Sequence, residues 1–140
     1  MFNSPYEIEI ELRLTSSQHL LGDFEVNGQE GVFLIDTGAS NSCMDEGLAK
    51  QFSLSIAGYP QPMTGAGNEK LSAQASNKSS LSYKSQVLAQ LEFMLIDMQP
   101  INTAFKEQGE SPIDGIIGAD LLQQHNGVID YARRSLKLKV

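Results

Sequence analysis

The stretch Phe33-Leu34-Ile35-Asp36-Thr37-Gly38-Ala39-Ser40 decides how this chain is read. A run of apolar, β-prone residues stops at a carboxylate; a hydroxyl, a glycine and two small residues follow. The run predicts a buried strand. Asp36 then stands where strand turns into loop, poorly solvated, and its neighbours govern how readily it ionises. The chain carries this combination once.

Outward from that point, the pattern is one of short strands. Tyr6 to Leu14 alternates, with Ile8, Ile10, Leu12 and Leu14 on one face and Glu7, Glu9, Glu11 and Arg13 on the other, as a half-buried strand requires. His19 to Val26 predicts a second strand, Asn27-Gly28 a hairpin turn, and Val32 to Ile35 the return. Asp45 to Phe52 suggests a short helix. Ala57 to Ser82 is rich in Gly, Pro, Ser, Asn and Gln, and its Met63-Thr64-Gly65-Ala66-Gly67 suits a hairpin tip. Val87 to Met98 predicts one long strand with Val87, Ala89, Leu91, Phe93 and Leu95 on one face. Asn102 is a candidate cap for a short helix through Glu107. Ile113 to Ile117 predicts a strand interrupted by Asp114-Gly115, Asp120 to His125 a short helix, and Val128 to Tyr131 with Ser135 to Val140 a closing hairpin. Many short strands and few helices describe a mainly β barrel or sandwich.

The first strand exposes Glu7, Glu9 and Glu11 and the last exposes Lys137 and Lys139. Opposite charges on neighbouring strands are worth ~0.2–1 kcal/mol each. The two ends could therefore pair, within one chain or between two; two separately solvated faces would give the same pattern.

Bulk properties narrow the function class. With 140 residues, a single domain over 1–140 is expected. A chain that is 41% hydrophobic and 19% charged can build one core. A net charge of −7 argues against nucleic acid as a partner, because phosphate binding needs a basic face. No apolar run approaches the ~20 residues of a membrane helix. Met1-Phe2-Asn3-Ser4-Pro5-Tyr6-Glu7 lacks the basic start and apolar core of a signal peptide. The single cysteine, Cys43, cannot form an internal disulfide, so a reducing cytoplasm is expected. Cys43, His19 and His125 make no zinc-ligand pattern, so neither metal nor cofactor is expected. Gly65-Ala66-Gly67-Asn68-Glu69-Lys70 lacks the spacing and following helix of a phosphate-binding loop. Asn77-Lys78-Ser79 matches a glycosylation triplet without a secretory context.

A second segment changes the weight of the first. Ile113-Asp114-Gly115-Ile116-Ile117-Gly118-Ala119-Asp120-Leu121-Leu122 follows Asp36-Thr37-Gly38-Ala39-Ser40 some eighty residues later. The pairing resembles the retropepsin-like aspartic proteases, the retroviral enzymes and their bacterial relatives, over nearly the whole chain. The resemblance implies an all-β, single-domain acid-protease fold, a closed barrel with one or two short helices. It implies that Asp36 is the catalytic carboxylate, that Thr37 bonds across a subunit boundary, and that Gly38 brings its amide to the carboxylate. Ala39 and Ser40 would line the substrate site. Met63, Thr64, Gly65, Ala66 and Gly67 would belong to a flap running to about Leu71. Ile116, Ile117 and Gly118 would pack beneath the loop and help wall the pocket. No metal takes part.

Peptide hydrolysis needs a base to activate water and an acid to protonate the amide. Two carboxylates a few Å apart share one proton and supply both. With one Asp36 per chain, the pair exists only on a two-fold axis, so a homodimer acting on a peptide or protein is expected. Ala39 stands where many pepsin-like enzymes carry a Ser or Thr hydroxyl that can bond the ionised carboxylate. Its absence implies a pH optimum in the mildly acidic to neutral range.

Other acids have plainer readings. Asp114 lacks a following Thr or Ser and reads as a turn residue. Asp120 reads as a helix cap with a structural role. Cys43 reads as a small buried filler. The acid that often follows the active-site loop in the retroviral enzymes is replaced by Ser40-Asn41-Ser42, where Asn41 or Ser42 could offer a polar contact to substrate. The rival function is a catalytically inactive protease-like module that binds peptides or proteins.

Overall fold

The structure is a computed structural model and describes residues 7–57, 61–64 and 70–140. The strands are β1 (Glu7–Glu11), β2 (Arg13–Leu14), β3 (Leu20–Val26), β4 (Gln29–Ile35), β5 (Cys43–Asp45), β6 (Gln61–Thr64), β7 (Lys70–Ala75), β8 (Ser79–Tyr83), β9 (Gln86–Leu91), β10 (Met94–Ile96), β11 (Gly115–Ile117), β12 (Val128–Asp130) and β13 (Ser135–Lys139). Two α-helices, α1 (Gln99–Glu107) and α2 (Ala119–Gln124), flank β11 in the sequence. The fold is mainly β, as expected, with its large sheet curled into a half-barrel.

Ten strands form that sheet, in the order β6-β7-β10-β5-β11-β4-β3-β8-β9, with β2 attached to β3. The hairpin turn between β3 and β4 falls on Asn27 (φ 50°) and Gly28 (φ 84°), the two positive values that a twisted two-residue turn requires. Burial divides each strand between two apolar clusters. One face of β3 and β4 sends Phe24, Val26, Phe33 and Ile35 into a main core with Phe52, Phe93, Leu136 and Leu138. The other sends Leu21 and Leu34 against Met98, Phe105 and Ile113, under α1.

β11 carries the functional geometry. It pairs in parallel with β4, Ile117 opposite Ile35, and antiparallel with β5, Ile116 opposite Cys43. It therefore separates two strands that are consecutive in the chain. The connection from β4 to β5, residues 36–42, must cross over the end of β11. So close an insertion needs glycine at 115, where a Cβ would lie 2.5 Å from the Cys43 carbonyl oxygen.

The two chain ends pair within one chain. β1 lies antiparallel to β13, Glu9 opposite Lys137 and Glu7 opposite Lys139, and β12 completes a three-stranded sheet. The ion pair that forms is Glu9 with Arg133 at 3.0 Å, both side chains largely exposed, and such pairs contribute little.

Four expectations need correction. The strand foreseen over Val87 to Met98 is two strands, broken at Glu92-Phe93, where Phe93 turns wholly into the core, accepts the Ser76 N–H on its carbonyl and donates its own N–H to the Ser76 hydroxyl. A register shift between Leu81 and Ser82 buries Leu88 and leaves Val87 55% exposed, overturning the expected face at its start, while Leu91, Phe93 and Leu95 are buried as expected. Asn102 caps nothing: α1 starts at Gln99, whose N–H is taken by the Asp97 carboxylate, while the Asn102 amide bridges the N–H and C=O of Ile113. Asp45 to Phe52 holds a single 3-10 turn, Glu46–Leu48, where a short helix was expected. The closing hairpin forms as expected.

Candidate active site

Asp36 follows β4 directly and is half-buried; Thr37 and Gly38 are exposed, Ala39 is half-buried and Ser40 exposed. The Asp36 N–H continues the parallel ladder by donating to the Ile117 carbonyl at 2.9 Å. The Gly38 N–H donates to Asp36 Oδ1 at 2.9 Å. A carboxylate at the end of a strand, held on one oxygen by an amide two residues on, has its second oxygen without a hydrogen-bond partner among the described residues. The Ala39 N–H donates to the Asp36 carbonyl, and the Ala119 N–H to the Ala39 carbonyl at 2.7 Å. These bonds seat the loop on the start of α2.

Gly118 makes that seating possible. A Cβ there would lie 2.6 Å from the Ala39 carbonyl oxygen and 3.1 Å from the backbone of Asn41. Ile116 and Ile117 support the loop from below. Ile116 is 6% exposed and Ile117 not at all, so within this chain they serve as floor and core. Thr37 borders a shallow groove of about 350 Å³ with Ala119, Leu122, Gln123, Asn126 and Gly127. A roomier hollow of about 480 Å³ lies elsewhere, among Arg13, Asp23, Lys84 and Arg133. It contains no residue of the Asp36 loop.

The backbones of Met63 and Thr64 lie in β6, paired antiparallel with Leu71 and Lys70 of β7. Gly65, Ala66 and Gly67 lie outside the described residues.

The remaining acids near the loop are committed elsewhere. Asp114 accepts the Val32 N–H at 2.8 Å. It sits four residues back along β4, roughly 13 Å from the level of Asp36. Asp120 accepts the Ser42 N–H on Oδ2 at 2.9 Å, and the Ser42 hydroxyl (2.7 Å) and Leu121 N–H (2.9 Å) on Oδ1. The helix cap position is Gly118, so Asp120 ties a loop to the helix rather than capping it. Ser42 is fully buried with its donors spent on Asp120, and it cannot offer substrate the contact considered for it. This tie is not legible in the sequence because its two residues lie 78 positions apart, and the motif that contains Asp120 does not name its partner. Cys43 is buried. Burial first, then the charges of Asp120 and Asp36, push its thiol up to about 11.

Among the described residues, no cluster of three or more His, Cys, Asp or Glu is placed to hold a metal ion, and no helix is long and apolar enough to cross a membrane.

This geometry has counterparts among solved structures. The retroviral protease-like domain of Ddi1 from Leishmania major superposes with a TM-score of 0.60 at 18% identity, covering 86% of this chain and 87% of that one. A retropepsin-like aspartic protease from Rickettsia conorii gives 0.57 at 18% identity, covering 94% and 89%. The EIAV protease complexed with the inhibitor HBY-793 gives 0.55 at 15% identity, covering 80% and 92%. At such identities the likeness establishes the fold alone. No curated protein matches the chain by sequence. The aspartyl protease family model matches residues 23–121, a span that runs from β3 through the Asp36 loop to the start of α2, and the chain belongs to that family.

Proposed function

We propose that this protein is a homodimeric, retropepsin-like aspartic endopeptidase formed by a single domain over 1–140 and acting in the cytoplasm. The observation that carries the reading is the Asp36 loop: an acid at a strand end, oriented by the Gly38 amide, with no second uncommitted acid beside it among the described residues. One such acid cannot serve as both base and acid. A second copy facing it across a two-fold axis supplies the other half.

In that pair one Asp36 is ionised and its twin protonated, because two adjacent carboxylates resist double ionisation. The ionised member takes a proton from the water between them as its oxygen attacks the scissile carbonyl. The protonated member hydrogen-bonds the carbonyl oxygen, and the tetrahedral intermediate collapses as the amide nitrogen is protonated. Thr37 bonds across the axis. Substrate lies extended between the β6–β7 hairpin (Met63, Thr64, Gly65, Ala66 and Gly67) and a floor that includes Ala39, Ser40, Ile116 and Ile117, using main-chain bonds for affinity.

The face that supports pairing is the outer edge of β12, unpaired among the described residues. It begins just beyond Gly127 in the groove beside Thr37. Val128 and Tyr131 stand 57% and 66% exposed there. An open antiparallel edge can pair with its own twin at a two-fold axis, and this one starts directly after Gly127, which shares a groove with Thr37.

The test is cleavage of a mixed peptide library by the wild type and by Asp36→Asn, with oligomeric state measured alongside. Cleavage abolished by the substitution supports the reading. A wild type no more active than the variant supports the peptide-binding module instead.

A further inference from the structure

We propose that Ser42 and Asp120 form a clasp that positions the Asp36 loop, making both of them positioning residues for the hydrolysis proposed above, on which this inference rests.

The loop 36–42 crosses the end of β11 and is held at three places. Its first limb is held by the Asp36 N–H on the Ile117 carbonyl, and its apex by the Ala119 N–H on the Ala39 carbonyl. Both are backbone bonds. The returning limb is held by side chains. The Ser42 hydroxyl donates to Asp120 Oδ1 at 2.7 Å and accepts the Gly118 N–H at 3.0 Å, while the Ser42 N–H donates to Asp120 Oδ2 at 2.9 Å. One hydroxyl thus joins the end of β11, the start of α2 and the loop.

The chemistry at both positions is restrictive. Ser42 has no exposed surface and Gly118 is buried, so water cannot replace a lost bond. Removing the hydroxyl leaves the Gly118 N–H without its acceptor, and an orphaned buried donor is costly. Asp120 receives three donors, from the Ser42 N–H, the Ser42 hydroxyl and the Leu121 N–H. A carboxamide in its place would turn an NH₂ group toward at least one of them. A carboxylate, with two acceptor oxygens, meets all three. The Gly118 backbone lies so near Ala39 and Asn41 that a Cβ there would collide with them, so slack at Ser42 passes to the segment that carries Gly38 and its bond to Asp36.

Misplacing a reacting group by about 1 Å can cost on the order of 10²-fold in rate. Ser42→Ala and Asp120→Asn are therefore expected to lower kcat by roughly that factor with KM changed less than about threefold. The double variant should be no slower than the slower single, because both remove the same clasp. Active sites are counted with a statine-containing peptide, so partial unfolding does not mimic the effect. Val26→Ala serves as the control: Val26 is fully buried at the hairpin end of β3, opposite Gln29, and its loss lowers stability without touching the loop. Wild-type kcat in either single variant, losses that multiply in the double, or an equal kcat loss in Val26→Ala overturns the clasp. A second readout needs no activity. Exchange of the Asp36 and Ala39 amides should quicken at least tenfold in both clasp variants but not in Val26→Ala; equal protection overturns the clasp. A wild type no faster than Asp36→Asn overturns the hydrolytic reading instead, and the exchange data still decide the loop's anchorage.

Discussion

Gly118→Ala tests whether the Asp36 loop is held in place by close contact with the end of β11. The backbone at Gly118 is extended (φ −108°, ψ −169°), a conformation alanine adopts freely. Any effect is therefore steric. The new Cβ would lie 2.6 Å from the Ala39 carbonyl oxygen, against the 3.4 Å at which ordinary contact begins, and the opposing atoms are backbone. The loop must lift by ~0.8 Å or β11 must sink into Ile117's packing, and overpacking of this kind costs ~1–3 kcal/mol. For a chain of 140 residues, the middle of that range lowers Tm by roughly 5–10 °C. The same displacement moves the carboxylate by most of an ångström, which predicts a loss in kcat/KM approaching 10²-fold. Thermal unfolding gives the first quantity. Cleavage of a peptide substrate, with Asp36→Asn as background, gives the second. A variant with the wild type's Tm and kcat/KM would refute the idea that the end of β11 sets the loop's position.

Two further substitutions probe other parts of the molecule. Glu110 accepts bonds from the hydroxyls of Ser16 and Ser17 and from the Ser17 N–H, and the Ser17 hydroxyl above all draws its carboxyl down from 4.5 to about 2. A depressed folded value means stabilisation present above pH 4.5 and lost as pH falls toward about 2, so Glu110→Gln should flatten the fall in stability across that window; urea unfolding that shows the same pH dependence in both proteins would contradict it. Val128→Lys puts a cation on the exposed start of β12, where twin charges would repel across a two-fold axis. A folded monomer without peptidase activity is expected by sedimentation, and an active dimer would exclude this edge as the interface.

Elements defined by local pattern were readable from the sequence. β1 and the closing hairpin follow from alternation, β4 from an unbroken apolar run, and the β3–β4 turn from Asn27-Gly28, because each is a property of neighbouring residues. What failed depends on distant partners. Nothing near Glu92 announces that Phe93 will leave the strand, since the reason is a place in the core beside Phe33. Asn102 has the composition of a cap but is claimed by Ile113, whose backbone needs both a donor and an acceptor. Val87 looks core-facing until the register shift opposite it turns Leu88 inward. Propensity loses in each case to a tertiary demand that a single sequence does not display.

The candidate site divides along the same line. Asp36, Thr37 and Gly38 are visible because their chemistry is local: a carboxylate, the amide that holds it and the strand before them. Their placement is not local. β4 carries Asp36 to the right level, but the loop beyond it would be free to fold several ways if β11 did not stand between β4 and β5. Gly115 allows that insertion, Gly118 lets the loop lie down on it, and Asp120 holds the returning limb through Ser42. All three belong to the second segment. The two motifs are thus halves of one device, the first supplying the reactive group and the second its coordinates. An Asp-Thr-Gly without the second segment would have the acid but not its position. A two-fold pair of acids multiplies any such error, because each loop must be right for the two carboxylates to share a proton.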